Sequence, residues 1–455
     1  MNHPITTTQI PTFKSNHPLG QVLAFKNTPD QLLARMEQLE SPVVKFRLAH
    51  LPCYYLTTPE AVHQVLVKDS QNYLKDGPFF KATKMVLGHG LAFSDGDIWK
   101  RDRRMMAPIF HKKCIDGFFG LMLDFANRLV NDLKTNREVV DIHAIFNELA
   151  MNIATNALFG ADLDKNKSDI LLAKFKIMVD DIIKRMSGLS FPLWVPTPAN
   201  QKLKNAVKVY SEGMKEIIED KVKNPGHTML DLLMHAKDPE TGELMHLQEL
   251  IDQVRVFFAA GTETTANALT WTLYLLARHP KAMTKLRQEI EQVLQGEEPT
   301  LEKLPQLAYL HQVIQESMRL HSPVWVLTRQ NKATATIAGY TLPPRSNIFF
   351  SAYMLHRNPR YWDKPNDFIP ERFAPGKLSK EDLKAFIPFG AGPRKCIGDR
   401  FADMEIKIVL IRILQSLDWK LRDSSEAPQW FSGSLQPKNG MWMSFQPVES
   451  KVAVR

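Results

Sequence analysis

Apolar side chains recur at three- and four-residue spacing through most of the middle of this chain. Cys114–Leu133 (CIDGFFGLMLDFANRLVNDL) and Ala206–Val222 (AVKVYSEGMKEIIEDKV) each gather their apolar residues on one face, the mark of a helix laid on a core. Leu250, Ile251, Val254, Phe257 and Phe258 keep that spacing within Leu247–Arg278, which predicts a single helix about 48 Å long at 1.5 Å per residue. Ile397, Phe401, Met404, Ile408 and Ile411 share a face of another. Strand-like patterning is confined to fewer places. VVKFRL (Val43–Leu48) and CYYL (Cys53–Leu56) flank AHLP and predict a small hairpin. Thr334–His356 is a second β-like patch, and Ser424–Phe445 reads as loops and short strands. Thr58 and Pro59 form a helix start. Asn224–His227 and Asp238–Glu243 are turns within one helical array. The pattern predicts a mainly α protein with a minor β-sheet region. It forms one integrated domain over 1–455, with a small β-rich part at about 43–63 and a helical part with minor sheet at about 70–455.

Composition narrows the class. Hydrophobic residues make up 44% and charged residues 24%, ordinary for a soluble globular chain. Lysine and arginine number 58 against 49 acids, a net charge of +9. That balance can attract nucleic acid, anionic membrane or an acidic protein. No interleaving of aromatic with basic residues supports nucleic acid. The three cysteines, Cys53, Cys114 and Cys396, include no CxxC pair. They argue against a disulfide framework and against a zinc site closed by cysteines, and they predict a cytoplasmic setting. The N-terminus shows no basic stretch followed by an apolar run, so neither a leader nor a membrane anchor is expected at that end. Val256–Leu276 carries Glu263 as its one charge and is long enough to span a bilayer. Its central GTETT is too polar for hydrocarbon, and a buried core helix is expected instead.

Candidate chemistry gathers where the pattern is interrupted. FGAGPRKCIG (Phe389–Gly398) sets glycines, a proline and Cys396 at the entry to the helix that carries Phe401 and Met404. Free backbone N–H groups at such an entry favour a thiolate. The glycines permit close approach of a bulky planar group, and Arg394 supplies a cation for an acidic edge of that group. A thiolate so held suits one-sided ligation of haem iron; the alternative is a buried, inert cysteine before a core helix. Gly261–Thr265 interrupts the long helix with hydroxyls that can bond back to carbonyls one turn earlier. Glu263 and Thr264 there are either a proton-passing pair in an apolar cavity or part of a capped kink. Glu316 and Arg319 share a helix face, as an exposed pair or a buried one. Trp99 and Arg103 stand one helical turn apart.

Together these stretches resemble the cytochrome P450 family, the haem-thiolate monooxygenases. Phe389, Gly392, Arg394, Cys396 and Gly398 match its haem-binding pattern FxxGxRxCxG. Ala260, Gly261, Glu263, Thr264 and Thr265 match its oxygen-activation pattern [AG]Gx[DE]T[TS]. Glu316 and Arg319 match its ExxR, Arg372 in PERF its partner arginine, and Trp99 with Arg103 its WxxxR. The resemblance runs from about Val43 to Phe445. It implies the P450 fold, with haem b between the long central helix and the helix following the Cys loop. It makes Cys396 the axial iron ligand and places Trp99, Arg103, Arg394 and Arg329 at the haem propionates. By the same resemblance Thr264 orients water, Glu263 belongs to the proton-delivery path, and Glu316, Arg319 and Arg372 form a buried charged triad on the cysteine side.

The resemblance also implies O2 as co-substrate. Electrons would come ultimately from NAD(P)H through a separate ferredoxin or flavodoxin-type donor, since no flavin, NAD or iron–sulfur pattern accompanies the motifs. Lys100, Arg101, Arg104, Lys112, Lys113, Lys395, Arg400 and Lys407 would meet on the cysteine side as a basic docking surface. Substrate-facing positions, inferred from the fold, are Phe79, Phe80, Val256, Phe257, Ala260, Val324, Trp325, Val326 and Leu435. Their apolar character predicts a small lipophilic substrate, a fatty acid or a terpenoid. Two other readings stand beside a monooxygenase: a peroxide-driven haem-thiolate hydroxylase or isomerase, and a non-catalytic haem-binding sensor. The acid–threonine pair separates the first from both, because neither rival needs it.

Overall fold

A computed structural model describes residues 9–136, 138–160, 165–186, 192–224, 226 and 228–448. Its axis is the predicted long helix, Leu247–Arg278, unbroken over 32 residues. The side chain of Glu249 reaches back to accept from the His246 N–H at 2.8 Å and closes the first turn. From Leu250 onward most of this helix is buried, apart from a partly exposed stretch at 257–264, because helices surround it: Ile142–Phe159, Pro198–Lys223, Ala308–Leu320 and Asp399–Ser416 all pack against it. A helix buried on every side needs no polar stripe, which is why its sequence resembles a membrane span. Among the described residues, no helix is long and apolar enough to cross a membrane.

The strands, numbered in chain order, form four small sheets. The largest has the order β1 (Val43–Leu48), β2 (Leu51–Leu56), β8 (Asn347–Phe350), β5 (Leu327–Asn331), β3 (Tyr73–Leu74). β1 and β2 are the predicted hairpin, with Val43 opposite Leu56. The turn is shorter than AHLP, however: pairing continues to Leu51, leaving Ala49 and His50, with Ala49 at φ 52°. β2 then pairs in parallel with β8, Cys53 opposite Asn347. The β-rich segment near the N-terminus is thus completed by strands almost three hundred residues later. β4 (Val140–Asp141), β12 (Trp442–Pro447) and β9 (Leu417–Leu421) make a second sheet; β6 (Ala335–Ile337) pairs with β7 (Tyr340–Leu342), and β10 (Gln429–Phe431) with β11 (Leu435–Pro437). β5 and β9 escape the sequence pattern: LTRQN is largely polar, and LDWKL follows the last helix without a break signal. Of the turn Asn224–His227, Pro225 and His227 lie outside the described residues.

Helix starts follow their local chemistry. Thr58 caps Pro59–His63 by accepting from the Ala61 N–H, as predicted. The chain then widens into a π-helical turn, Gln64–Lys68. This turn lies against the 3₁₀ turn Gly392–Arg394 of the cysteine loop, so closely that a Cβ on Gly392 would sit 2.0 Å from the Leu66 carbonyl oxygen. Gly392 also has φ 69°, a region that side chains disfavour. The glycine thus answers to a protein carbonyl rather than to a planar ligand. Gly392→Ala should destabilise the fold by more than about 2 kcal/mol in urea unfolding. Gly120→Ala, at a helical site with open space around it, should leave stability unchanged or slightly raised.

Candidate active site

The cysteine loop is built from both ends. Its exit is the helix Asp399–Ser416, for which Gly398 is the N-cap, so Cys396 sits two residues before the cap. The Cys396 N–H donates to the Phe389 carbonyl at 2.9 Å and closes the loop on itself. Burial pushes the Cys396 thiol up; the Gly398 N–H donating to the sulfur, and the Lys75 and Arg103 cations, oppose that rise. Cys396 as a residue is nonetheless exposed.

Around it stands a group of cations with too few acids. Arg394 is paired with Asp95 at 2.6 Å, donates to the Ser94 carbonyl at 2.7 Å, and lies 4.1 Å over the Trp99 ring. Part of its charge is therefore met by protein. Trp99 supplies it with a platform. Arg103 donates to the Lys395 carbonyl at 3.3 Å and has no acidic partner among the described residues. Arg329, on β5 and buried, has one hydrogen bond there, to the neighbouring Thr328 carbonyl. Its pKa is lowered to about 10, by burial and then by Arg394. Lys75, which sequence reasoning missed, is lowered to about 7 by burial and then by Arg329 and Arg394. Nothing in LKDGP marks this lysine out; only the fold brings it to the cluster. Lys75, Arg329 and Arg394 thus share Asp95, which also meets Lys84 at 3.3 Å, while Arg103 is drawn toward Cys396 and Asp399. Such a cluster lacks negative charge. A group with two carboxylates and a metal that takes one thiolate fits this donor set. The residues present therefore fit haem: Cys396 would hold the iron, and Lys75, Arg103 and Arg329 the propionates.

The ExxR pair is buried. Arg319 gives Nε to Glu316 Oε2 at 2.7 Å and Nη2 to Glu316 Oε1 at 2.9 Å. Its remaining N–H groups reach the carbonyls of His356 (2.6 Å), Pro365 (2.7 Å) and Asp367 (3.1 Å), so all five donors are used. Glu316 Oε1 also accepts from Arg372 Nε at 3.2 Å and from the Ile369 N–H at 2.9 Å. The three residues therefore meet, with Glu316 and Arg319 fully buried. His356, also fully buried, extends the group: its Nε2 accepts from the Ile387 N–H at 2.8 Å, two residues before Phe389. It is a second residue that no sequence signal revealed, since a histidine after an apolar run reads as ordinary core.

On the long helix, the three threonines of GTETT bond back one turn, as predicted: Thr262 to Phe258, Thr264 to Ala260 at 2.7 Å, and Thr265 to Gly261. The helix continues without interruption. Ala260 is exposed midway along this otherwise buried helix. Glu263 is buried enough for its carboxyl to be raised, opposed by a hydrogen bond from Ser434 Oγ at 2.8 Å.

The substrate-facing expectations divide. Ala260, Val324 and Val326 keep open surface, and Phe80 lies half-buried with its ring 6.4 Å from that of Phe93. Others pack against protein, through burial or ring contacts. Trp325 points inward between Val324 and Val326, hydrogen-bonded to the Ser432 carbonyl and edge-on to Phe431. Leu435 is fully buried in the same cluster. Phe79 meets Phe349 edge-on at 4.9 Å. Phe257 packs toward Phe110 and Phe401, and Val256 is buried beside Gly90.

The expected basic surface is also revised. Lys100 pairs with Asp97, Arg101 with Glu249, Arg104 with Asp238 and Glu240, Lys112 with Asp116, Lys395 with Asp399, and Lys407 with Asp403. Lys113 and Arg400 are left without an ion pair among the described residues. A cavity of about 620 Å³ beside the cysteine loop has Ile115, Leu304, Phe389 and Met404 in its wall, with Lys395 and Lys407 among its charges. The face is closer to charge-balanced than to basic, because spacings of three or four residues bring Lys100, Lys112, Lys395 and Lys407 an acid.

The family model "Cytochrome P450" matches residues 10–443. Cyclooctat-9-en-7-ol 5-monooxygenase from Streptomyces melanosporofaciens is 33% identical over 407 residues, covering 89% of this chain and 87% of its own. Cyclooctatin synthase from the same organism is also 33% identical, over 89% of this chain and 88% of its own. Cytochrome P450 4V2 of Mus musculus is 30% identical, over 96% of this chain and 89% of its own. The protein is thus an oxidoreductase of the monooxygenase type, built for haem and O2, with a small-molecule substrate and a redox partner. The chain belongs to the cytochrome P450 family.

The buried histidine generates a pH test. His356 is lowered to about 3, by burial and then by the Arg319 cation, whereas an unfolded histidine titrates near ~6.5. The unfolded chain therefore binds the extra proton between those values. The stability His356 contributes is fully present above about pH 6.5 and falls as pH falls toward about 3. From pH 6.5 to 5, wild type should lose on the order of 2 kcal/mol more than His356→Gln in urea unfolding. His321 titrates in the same direction and is present in both proteins, so the difference isolates His356. Parallel pH profiles would refute the assignment.

Proposed function

We propose that this protein inserts one oxygen atom from O2 into a small lipophilic substrate at a haem held by Cys396. The observation that carries this is the thiol of Cys396 beside a cluster of cations, Lys75, Arg103 and Arg329, that form no ion pair among the described residues. Haem, when bound, supplies the oxygen-activating redox chemistry; thiolate donation favours O–O cleavage. The protein's own residues do the rest. Cys396 binds, and the cations orient the macrocycle through its carboxylates. Thr264, whose hydrogen is engaged with the Ala260 carbonyl, offers its lone pairs to a water, and Glu263 supplies or takes the proton. Glu316, Arg319 and Arg372 keep the cysteine side rigid.

Between fatty acids and terpenoids, the two Streptomyces relatives favour a terpenoid-like alkenol, and the apolar Ala260, Val324 and Val326 suit it. Electrons would pass from NAD(P)H through a separate ferredoxin or flavodoxin-type protein docking beside the cysteine loop. The charge-balanced face and its apolar hollow argue that contact depends on shape as well as steering. The acid–threonine pair supports O2 over peroxide as the oxidant.

Reduced protein under carbon monoxide should show the red-shifted Soret band of thiolate ligation, lost in Cys396→Ser; a histidine-type spectrum would exclude this reading. Thr264→Ala should keep haem and divert most electrons to peroxide, measured as peroxide formed per NAD(P)H consumed with a surrogate redox pair. Addition of terpenoid alcohols should shift the spin state at lower concentration than addition of fatty acids.

A further inference from the structure

Glu263 is the end of a one-way hydrogen-bond chain that reaches across three segments. Ser434 Oγ lies 2.8 Å from Glu263 Oε1. That hydroxyl receives the Asn267 Nδ2–H at 2.8 Å and the Gln436 Nε2–H at 3.3 Å. Two N–H donors leave the hydroxyl one role, to donate its own hydrogen to Glu263. Asn267, one turn beyond Glu263 on the long helix, is fully buried. With its amide nitrogen committed to Ser434, its Oδ1 faces His143 Nε2 at 2.9 Å and can only accept. His143 therefore carries its proton on Nε2. The Asn147 amide donates to the His143 carbonyl at 2.8 Å, and its nitrogen also lies 3.2 Å from His143 Nε2, farther than Asn267 Oδ1. His143 is in turn fixed by Asp141, which caps its helix, accepting from the His143 N–H at 3.1 Å and from the Met441 N–H at 2.8 Å.

We propose that His143, Asn267 and Ser434 are positioning residues that tie Glu263 Oε1 in place and leave Oε2 as the oxygen that exchanges protons. Every donor in the chain points toward Glu263, so each bond polarises the next. Among the described residues, Oε2 has no hydrogen-bond partner. The chain does not conduct protons, because an amide passes none without tautomerising; Asn267 makes it an orienting device. Burial raises the Glu263 carboxyl and Ser434 lowers it, consistent with a donor chain that favours the carboxylate. The ionisable side chains on this path are Glu263 and His143, with Asp141 behind. The other Glu263 neighbours exert no resolved charge effect.

This inference rests on the role given to Glu263 above, and its test separates the two. In the ferric holoenzyme, the Glu263 carboxyl band, identified by its loss in Glu263→Gln, is titrated by infrared spectroscopy. Ser434→Ala should raise the proton affinity of Glu263 about tenfold, the effect of losing a hydrogen bond to a charged group. Asn267→Leu should move it the same way by less, and Ser434→Thr, which keeps the hydroxyl, should restore it. The peroxide formed per NAD(P)H should rise severalfold in Ser434→Ala and return in Ser434→Thr. An unmoved titration in both Ser434→Ala and Asn267→Leu would overturn the proposal, as would Ser434→Thr behaving like Ser434→Ala. A shifted titration with unchanged peroxide yield would uphold the chain and remove Glu263 from the proton path instead.

Discussion

The structure hangs on the buried pair of Glu316 and Arg319. Two charges with no exposed surface survive only if every donor and acceptor is met, and here all five Arg319 N–H groups are. Three go to the carbonyls of His356, Pro365 and Asp367, and Glu316 gathers the Ile369 N–H and Arg372. One helix thereby holds the irregular segment 356–372, which has little regular secondary structure of its own to satisfy its backbone. Removing one partner would strand the other, a loss of about 3–5 kcal/mol. That segment runs on to His356's partner Ile387 and so to the cysteine loop. The placement of Cys396 depends on an ion pair that never touches it.

The opposite face of the site is stabilised differently. The long helix is wrapped by other helices and held by apolar burial, while its polar residues are served locally. The threonines return to their own helix, and Glu263 is reached from the β10–β11 turn through Ser434. The two faces therefore separate two tasks. The cysteine side is charged and held by the fully bonded Arg319. The helix side offers exposed apolar surface at Ala260 and one carboxylate with a free oxygen. In the cation cluster of Lys75, Arg103, Arg329 and Arg394 the shortage is specifically of negative charge.

Arg394, Trp325, Leu435, Phe79 and Phe257, expected at ligand contacts, each have a protein partner as well. Position in a motif says which residue type is required but not which neighbour requires it. Gly392 is needed because Leu66 passes behind it. Lys75, His356, Asn267 and Ser434 were invisible because their roles come from partners tens to hundreds of residues away. The paired cations show the same limit in reverse: counting lysines overlooked the acids one helical turn from them.

By itself, the sequence determined the helices, the hairpin, the cysteine loop and the long helix with its threonine bonds. These follow from periodicity, capping and backbone sterics, which act over a few residues. It also determined the family, because fixed spacings of Cys396, Glu263, Thr264, Glu316 and Arg319 are local patterns. Tertiary structure alone decided the parallel pairing of β2 with β8, the burial of Glu316 and Arg319, the crowding of four cations around Asp95, and the donor chain that ends on Glu263. Each of these is an electrostatic or hydrogen-bond relation between distant segments. Burial sets its strength, and burial exists only once the chain has folded.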